Sequence, residues 1–179
     1  MGPESRIDLR EVIDSYPDFP KAGVLFRDVN PVFRSFQVLT YIAEEFYRRL
    51  GSVKVDAVAG IESRGFVVAT ALALRFGTGM IMIRKSGKLP GNTVKKSYEI
   101  EYGNAVMELQ HDAVTKGQSV IVADDLIATG GTASAAAQLI EHLGGKVAGF
   151  AIVIELAGLK GGERLRKLGY EVQSLVVYD

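Results

Sequence analysis

Two acidic residues and a glycine-rich turn form the segment of the chain with the most specific chemistry. The segment reads VIVADDLIATGGTA over residues 120–133, with Asp124 and Asp125 near its centre. Glycines let the backbone turn sharply and bring N–H groups close to a ligand, and the start of a helix adds partial positive charge. With threonine hydroxyls, these groups would form a cradle for a phosphate monoester. The residues of this cradle are Ala128, Thr129, Gly130, Gly131 and Thr132.

The acidic pair must contact a different part of the ligand, because two carboxylates would repel a phosphate. Carboxylate oxygens suit the vicinal hydroxyls of a ribose, or a magnesium ion shared with it. A segment that binds phosphate at one end and a diol at the other indicates ribose 5-phosphate. The alternative is a tight turn whose Asp and Thr residues only cap the helix. Neither the dinucleotide motif G-x-G-x-x-G nor the P-loop motif G-x-x-x-x-G-K-[ST] occurs in the chain.

The elements that would position these residues alternate between strands and helices. Helical spacing of apolar side chains predicts helices at residues 37–50, 65–76 and 132–143. Apolar runs without alternation predict strands buried on both faces, at residues 56–59, 80–83, 119–123, 147–154 and 171–177. This order predicts an α/β fold with a doubly wound, mainly parallel sheet flanked by helices. The connection at residues 124–131 would lie at the carboxyl edge of that sheet, where such sheets bind ligands.

Two additions to this alternation are expected. Residues 98–102 and 105–110 have the pattern of a β-hairpin joined around Gly103 and Asn104. Residues 84–96 carry five Lys and Arg residues and no acidic residue, and their Gly and Pro residues indicate a flexible loop. We therefore expect a single domain over residues 1–179, with an N-terminal section at about 1–35 and an inserted loop and hairpin at about 84–110.

Length and composition exclude several classes of protein. The chain has 179 residues, a formal net charge of zero and no cysteine. Zero net charge gives no global field that would hold a nucleic acid, and the lack of cysteine excludes disulfides and thiolate metal sites. The longest apolar run, residues 65–74, is shorter than the roughly 18 residues that span a bilayer. We expect a cytoplasmic protein without nucleic-acid or membrane partners.

The segment VIVADDLIATGGTA resembles the phosphoribosyl-pyrophosphate motif of the type I phosphoribosyltransferases. From about Tyr16 onward, the segments PDFPKAGVLFRDVNPVF, GIESRGF, IRKSGKLPG and YEIEYG resemble, in the same order, the family members that act on adenine. The resemblance implies a purine-salvage enzyme that transfers the 5-phosphoribosyl group from 5-phosphoribosyl-1-pyrophosphate to adenine, giving AMP and pyrophosphate. It also implies a homodimer. Mg²⁺ is expected to be held mainly by the pyrophosphate substrate and not by direct protein ligation, with Asp124 or Asp125 as the candidate ligands if the protein contributes one.

The resemblance also assigns roles to the other segments. The loop of Ser63 and Arg64 would bind pyrophosphate, and an Arg guanidinium suits phosphate oxygens. The cationic loop would be a lid that excludes water, with Arg84 and Lys88 as pyrophosphate contacts and Lys95 and Lys96 outside the site. Glu101 would be the general acid or base and Arg64 a second catalytic residue, with Tyr102 on the phosphate side. The base would be covered by a hood that contains Leu25, Phe26 and Arg27. Leu156 would lie on the other face of the base.

Two alternative functions remain open from the sequence. The same chemistry could use hypoxanthine, guanine, xanthine or orotate, because only the hood and Leu156 distinguish the bases. A non-catalytic regulator could use the fold to sense the phosphoribosyl donor, but such proteins usually add a nucleic-acid-binding module, and the chain shows no basic face for one.

Overall fold

The computed structural model describes residues 7–100 and 103–179. Its helices are α1 (Leu9–Val12), α2 (Asn30–Arg34), α3 (Phe36–Leu50), α4 (Gly65–Phe76), α5 (Gly131–His142) and α6 (Gly161–Lys167). Its strands are β1 (Asp14–Pro17), β2 (Leu25–Asp28), β3 (Ala57–Ile61), β4 (Gly79–Lys85), β5 (Thr93–Ile100), β6 (Gly103–Gln110), β7 (Ser119–Ile127), β8 (Lys146–Leu156) and β9 (Val172–Tyr178).

Seven strands form the central sheet in the order β5-β6-β4-β3-β7-β8-β9. The five strands from β4 to β9 in that order are parallel, and β6 and β5 add an antiparallel edge. Each parallel strand is reached through a crossover, which is the connection that parallel pairing requires. The predicted doubly wound α/β fold is confirmed.

Each face of the sheet has its own hydrophobic core. Alternate strand residues point to opposite faces, so Val120 and Val122 pack on α5 and α6, whereas Ile121 and Ala123 pack on the side of α1 to α4. All four side chains are fully buried. Burial on both faces explains why β7 reads as a continuous apolar run. No helix among residues 7–100 and 103–179 is long and apolar enough to cross a membrane.

The sheet extends further around the site than the sequence predicts. β7 continues through Ile127, because its backbone keeps pairing with β8 as far as Ile127 and Glu155. The acidic pair therefore lies on the end of a strand, and the predicted connection at residues 124–131 shortens to residues 128–130. The rest of that prediction stands, since the turn still leads into α5.

The predicted bounds of the inserted loop and hairpin are wrong. β5 begins at Thr93, so Lys95 and Lys96 lie on a strand and the loop after β4 is limited to residues 86–92. The turn is not at Gly103 and Asn104, because both belong to β6 and Gly103 already pairs with Ile100. The antiparallel ladder with β6 pairs one side of the backbone of this basic segment, and Val94 packs against the core.

The N-terminal section contains a separate two-stranded sheet. β1 and β2 pair only with each other, in an antiparallel register that places Ser15 opposite Arg27. Ile13 and Val29, at the two ends of this unit, are buried in the core with α1 to α4. We call residues 14–28 the hood. It is fixed at its base by these two apolar side chains.

Candidate active site

Three connections meet at the carboxyl edge of the parallel strands. Residues 62–64 join β3 to α4, residues 128–130 join β7 to α5, and Leu156 ends β8 before a 3-10 turn. β7 lies between β3 and β8 in the sheet. Adjacent parallel strands place these ends side by side, at the edge where α/β sheets bind ligands.

The glycine-rich turn after β7 has the local geometry of an anion site. Gly130 has a φ of 82°, in the left-handed region, and is the N-cap of α5 without a side-chain hydrogen bond. A helix start of this kind offers N–H groups and the positive end of the helix dipole to a phosphate. Thr129 and Thr132 flank the two glycines, and both are partly exposed. The residues predicted to form the cradle thus lie together, on one turn and the first residues of α5.

The start of α6 packs directly against this turn. The Gly161 N–H donates a hydrogen bond of 3.0 Å to the Ala128 carbonyl oxygen. A Cβ at Gly161 would overlap that oxygen and would lie 2.6 Å from Gly130 N. Only glycine allows the two backbones to approach this closely. The position of the cradle is thus set partly by a segment about 30 residues later in the chain.

An ion pair between the buried Glu155 and the partly exposed Arg166 holds α6 in turn. Glu155 is 5% exposed and accepts hydrogen bonds from both terminal nitrogens of Arg166, at 2.9 and 2.8 Å, and from Ser174 Oγ at 2.6 Å. The hydrogen bonds from Arg166 lower the pKa of Glu155 in spite of its burial. A Cβ at Gly162 would lie 2.5 Å from Glu155 Cδ, so this position also requires glycine.

The acidic pair contacts the neighbouring loop through Arg64. The distance from Arg64 Nε to Asp125 Oδ2 is 2.6 Å, and the Asp125 side chain is 8% exposed. Asp125 Oδ2 is buried and, among the residues that the structure describes, has no hydrogen-bond partner beyond this ion pair. Asp124 Oδ1 accepts a hydrogen bond from Asp125 N at 2.9 Å. Asp125 therefore retains acceptor capacity for a ligand hydroxyl or a cation.

The two carboxylates also influence each other. Burial raises the pKa of Asp124 well above its ordinary value, and the adjacent Asp125 carboxylate raises it further, although Arg64 opposes this effect. A raised pKa reduces the negative charge that the pair presents to a phosphate nearby. Gly65 makes this arrangement fit, because a Cβ there would lie 2.8 Å from Asp124 Oδ1.

The loop of Ser63 and Arg64 is tied to the end of β4 by Glu62. The Glu62–Ser63 peptide bond is cis. Glu62 Oε2 accepts a hydrogen bond from Lys85 N at 2.9 Å and one from Arg84 Nε at 3.1 Å. Arg84 is thus held beside the loop of Arg64, where two cations can act on one anion.

The loop at residues 86–92 is anchored by a buried carboxylate. Glu108 is 1% exposed, and its Oε1 accepts hydrogen bonds from Lys88 N at 2.8 Å and Leu89 N at 2.9 Å. Arg84 also donates a hydrogen bond of 3.2 Å to the Lys88 carbonyl oxygen. The Lys88 side chain is left exposed beside Arg84. Lys95, on the adjacent strand β5, forms an ion pair with Glu108, with 3.7 Å between Lys95 Nζ and Glu108 Oε2.

The hood presents Phe26 toward the loop of Arg64. The Arg64 guanidinium carbon lies 5.6 Å from the centre of the Phe26 ring, and Phe19 packs edge-on at 5.1 Å between ring centroids. The Phe26 ring borders a cavity of 530 Å³. Leu25 is half exposed, and Leu156 is partly buried at the end of β8. An apolar ring beside the proposed sugar-phosphate site suits a flat heteroaromatic ligand.

Glu101 and Tyr102 lie outside the described residues. Within residues 7–100 and 103–179, no three His, Asp or Glu side chains cluster as a metal site. Three acidic residues that hold the loops in place were not predicted from the sequence. The signal that could have indicated them is their position inside or directly after predominantly apolar strands. These residues are Glu62, Glu108 and Glu155.

Comparison with known proteins agrees with this geometry. The model of the phosphoribosyl transferase domain family matches residues 32–178. The adenine phosphoribosyltransferase of Cenarchaeum symbiosum is 54% identical over 172 residues, which is 96% of this chain and 100% of that protein.

Solved structures give the same result at the level of the fold. The crystal structure of adenine phosphoribosyltransferase from Thermoanaerobacter pseudethanolicus matches with a TM-score of 0.90 at 41% identity, covering 95% of this chain and 98% of that chain. The Saccharomyces cerevisiae enzyme, complexed with adenine and an imino-altritol bisphosphate, matches with a TM-score of 0.86 at 40% identity, covering 93% of this chain and 96% of that chain. The chain belongs to the phosphoribosyltransferase family.

Proposed function

We propose that the residues at this edge catalyse the transfer of the 5-phosphoribosyl group from 5-phosphoribosyl-1-pyrophosphate to adenine, giving AMP and pyrophosphate. The observation that carries the proposal is the convergence of the glycine cradle, Asp125 and Arg64 at the ends of two adjacent strands. The relatives named above are adenine phosphoribosyltransferases, and the yeast enzyme was crystallised with adenine. The activity is a step of purine salvage.

The donor would lie along the end of β7. Its 5-phosphate would occupy the cradle at residues 128–132, and its 2- and 3-hydroxyls would contact Asp124 and Asp125. Asp125 Oδ2 supports this assignment, because this buried carboxylate oxygen, which forms the ion pair with Arg64, has a further lone pair for a ligand hydroxyl.

The leaving pyrophosphate would be bound by the cations of the neighbouring loops. The C1–O bond to pyrophosphate breaks as positive charge develops on the ribose ring, so the departing oxygens become more negative. Arg64 and Arg84 would stabilise this charge, with Ser63 and Lys88 adding hydrogen bonds. Tyr102 stays a proposed contact on the phosphate side. When the donor binds, Arg64 would leave its ion pair with Asp125 and would pair with the pyrophosphate instead.

Mg²⁺ is proposed to enter with the pyrophosphate substrate. Asp125 Oδ2 is an oxygen ligand of the type that Mg²⁺ prefers, and it lies beside the cation that would contact the same substrate. When bound, the ion would neutralise charge on the leaving group. Asp124 and Asp125 are the protein groups that would reach it.

The base would lie between Phe26 of the hood and Leu156 at the end of β8. Adenine presents an amino donor beside a ring-nitrogen acceptor, which a backbone carbonyl and N–H around Leu25 and Arg27 would match. Hypoxanthine and guanine present the opposite pattern and would leave these buried backbone groups unpaired. The base nitrogen attacks C1 of the ribose, and its proton would pass to Glu101.

Product formation across a panel of bases tests the proposal directly. Purified protein with the donor and Mg²⁺ should convert adenine to AMP with a kcat/KM at least about 100-fold above that for hypoxanthine, guanine, xanthine or orotate. Comparable rates with hypoxanthine would contradict the assignment of the hood. Pyrophosphate release with none of the bases would favour the regulator over the enzyme.

The role of Glu101 is tested by comparison with Glu99, a glutamate close to it in the sequence. Glu101→Leu should lower kcat by about 100-fold or more, because a general base contributes at least that much, while the KM for the donor stays within about two-fold. Glu99→Leu, two residues earlier, should retain most of the wild-type rate. Near-normal turnover of the Glu101 variant would remove this residue from the mechanism.

We also propose that the enzyme is a cytoplasmic homodimer. A cavity of 660 Å³ lies away from the site, between α3 and α4. Phe36 and Leu74 on this face are 79% and 78% exposed. The Glu44–Arg75 ion pair, 2.6 Å between Arg75 Nε and Glu44 Oε1, gives the face both charges, so two copies could pack without net repulsion. The lack of cysteine suits a reducing compartment.

A charge placed on this face tests the dimer. Leu74→Glu should convert a dimer to a monomer in sedimentation equilibrium. Leu168→Glu introduces the same charge at a position that is 62% exposed elsewhere, and it should leave the dimer intact. A wild-type protein that sediments as a monomer would contradict the proposal.

A further inference from the structure

The Tyr178 side chain, at the end of β9, links the hood to the central sheet. β1 and β2 make no ladder with the seven-stranded sheet, and the buried side chains of Ile13 and Val29 hold only the base of the hood. Higher along β2, the Arg27 guanidinium carbon lies 3.8 Å from the centre of the Tyr178 ring. This stacking contact joins the hood to the last residue of β9.

Tyr178 also lies next to the residue proposed for the other face of the base. In the parallel ladder of β8 and β9, Tyr178 is the partner of Leu156, so the two side chains lie on the same face of the sheet. Both are partly buried against the same core cluster. Tyr178 is therefore the ladder partner of Leu156 and, through its ring, a contact of Arg27.

The ring and the arginine are each held from a second side. The Arg10 guanidinium carbon lies 4.8 Å from the centre of the Tyr178 ring, and Arg10 donates a hydrogen bond to the Val177 carbonyl oxygen. Arg27 donates a hydrogen bond of 2.5 Å to Ser15 Oγ on β1. Stacking of guanidinium groups on an aromatic ring is stabilising. Tyr178 thus connects both strands of the hood to the central sheet.

From this arrangement we infer that Tyr178 is a positioning residue for the base: it sets the distance between the hood and Leu156 through the side chain of Arg27. The inference rests on the proposed base site. Its physical basis is that backbone groups of β2 can read a base only if β2 keeps a fixed distance from the opposite face of the base. The donor site lies on other loops and does not depend on this contact.

The test uses Tyr178→Leu, which keeps apolar volume but cannot stack, and Tyr178→Phe, which keeps the ring. Tyr178→Leu should raise the KM for adenine by about 3- to 30-fold, the range that loss of one such contact predicts. The KM for the donor should stay within about two-fold. Tyr178→Phe should keep a wild-type KM for adenine, because the ring makes the contact with Arg27 and the hydroxyl does not.

A double-mutant cycle tests whether the effect passes through Arg27. Arg27→Met keeps the backbone groups that read the base but removes the guanidinium. If Tyr178 acts through Arg27, the double variant Arg27→Met with Tyr178→Leu should be no worse than either single variant. Additive losses, or an unchanged KM for adenine in Tyr178→Leu, would overturn the inference.

Two controls separate this inference from simpler explanations. Arg10→Met removes the second guanidinium from the Tyr178 ring and should leave the KM for adenine within about two-fold. An increase equal to that of Tyr178→Leu would show that the end of β9, and not the contact with the hood, is responsible, and would overturn the inference. Phe26→Leu tests the base site itself. If it leaves the KM for adenine unchanged, the proposed site is wrong as well as the role of Tyr178.

Discussion

Glu108 gives the sharpest test of how the loop at residues 86–92 is held. Its carboxylate is 1% exposed and accepts the backbone N–H groups of Lys88 and Leu89 at 2.8 and 2.9 Å. Thr93 Oγ1 lies 3.4 Å from the other carboxylate oxygen. Glu108→Gln keeps the shape of the side chain and one acceptor oxygen but removes the charge. The change therefore weakens these hydrogen bonds without creating a cavity.

The expected size of the effect follows from the two backbone hydrogen bonds. A hydrogen bond to a charged group contributes about 1.5–3 kcal/mol, and a neutral one about 0.5–1.5 kcal/mol. Loss of the charge should thus cost about 1 kcal/mol for each bond, or about 2 kcal/mol in all. If this energy orders the loop that carries Lys88, the KM for the phosphoribosyl donor rises by up to about 30-fold. The KM for adenine should change by less than about two-fold.

The pH dependence of this effect has a definite sign. Burial alone would raise the pKa of Glu108, but the backbone N–H groups of Leu89, Lys88 and Gly87 outweigh it, so the pKa lies below its ordinary value of 4.5. A lowered pKa in the folded state contributes stability above the unfolded pKa, and this stability is lost as the pH falls through the folded pKa. The difference in unfolding free energy between wild type and Glu108→Gln should be constant from pH 6 to 8 and should shrink below about pH 4.5.

Initial-rate kinetics with varied donor and urea denaturation at several pH values measure both effects. Glu163→Gln is the matched control, since Glu163 is half exposed and its pair with Lys167 is on the surface; it should change neither quantity. A Glu108→Gln enzyme with a wild-type KM for the donor would refute the role of Glu108 in ordering the loop. A stability difference that persists unchanged at low pH would refute the charge as its cause.

Two further predictions concern the acidic pair and the support of the cradle. Asp124→Asn with Asp125→Asn should raise the KM for the donor by at least about 10-fold with little change in the adenine KM, since the ribose hydroxyls lose a carboxyl oxygen at both positions; unchanged donor affinity, measured by calorimetry, would contradict the ribose assignment. Gly162→Ala should lower the free energy of unfolding by about 1–3 kcal/mol, because a Cβ would lie 2.5 Å from Glu155 Cδ and would displace this buried carboxylate from Arg166. Gly79→Ala, with nothing within 4 Å of the added Cβ, should stay within about 1 kcal/mol of wild type in urea denaturation; equal losses in both variants would contradict this reasoning.

The sequence predicts the parallel sheet and the glycine cradle because both depend on local patterns. Strands buried on both faces are continuous apolar runs, and a turn with two glycines before a helix marks its own position. The bounds of β5 and β7 were not predictable in the same way. The basic composition of β5 suggested a loop, but one side of its backbone pairs with β6, and β7 is prolonged through the acidic pair by its ladder with β8.

The supports of the site were harder to predict, because each depends on contacts between distant parts of the chain. Glu108 accepts N–H groups from residues about 20 positions earlier, and Gly161 contacts a turn about 30 positions earlier. No local pattern in the sequence marks Glu108 as a buried residue. Short sequence motifs thus predict which ligand groups are bound. The distances between those motifs depend on residues outside the proposed binding site. Variants of Glu108 and Tyr178 should therefore change the KM for one substrate each, the donor and adenine respectively, and leave the other substrate's KM unaffected.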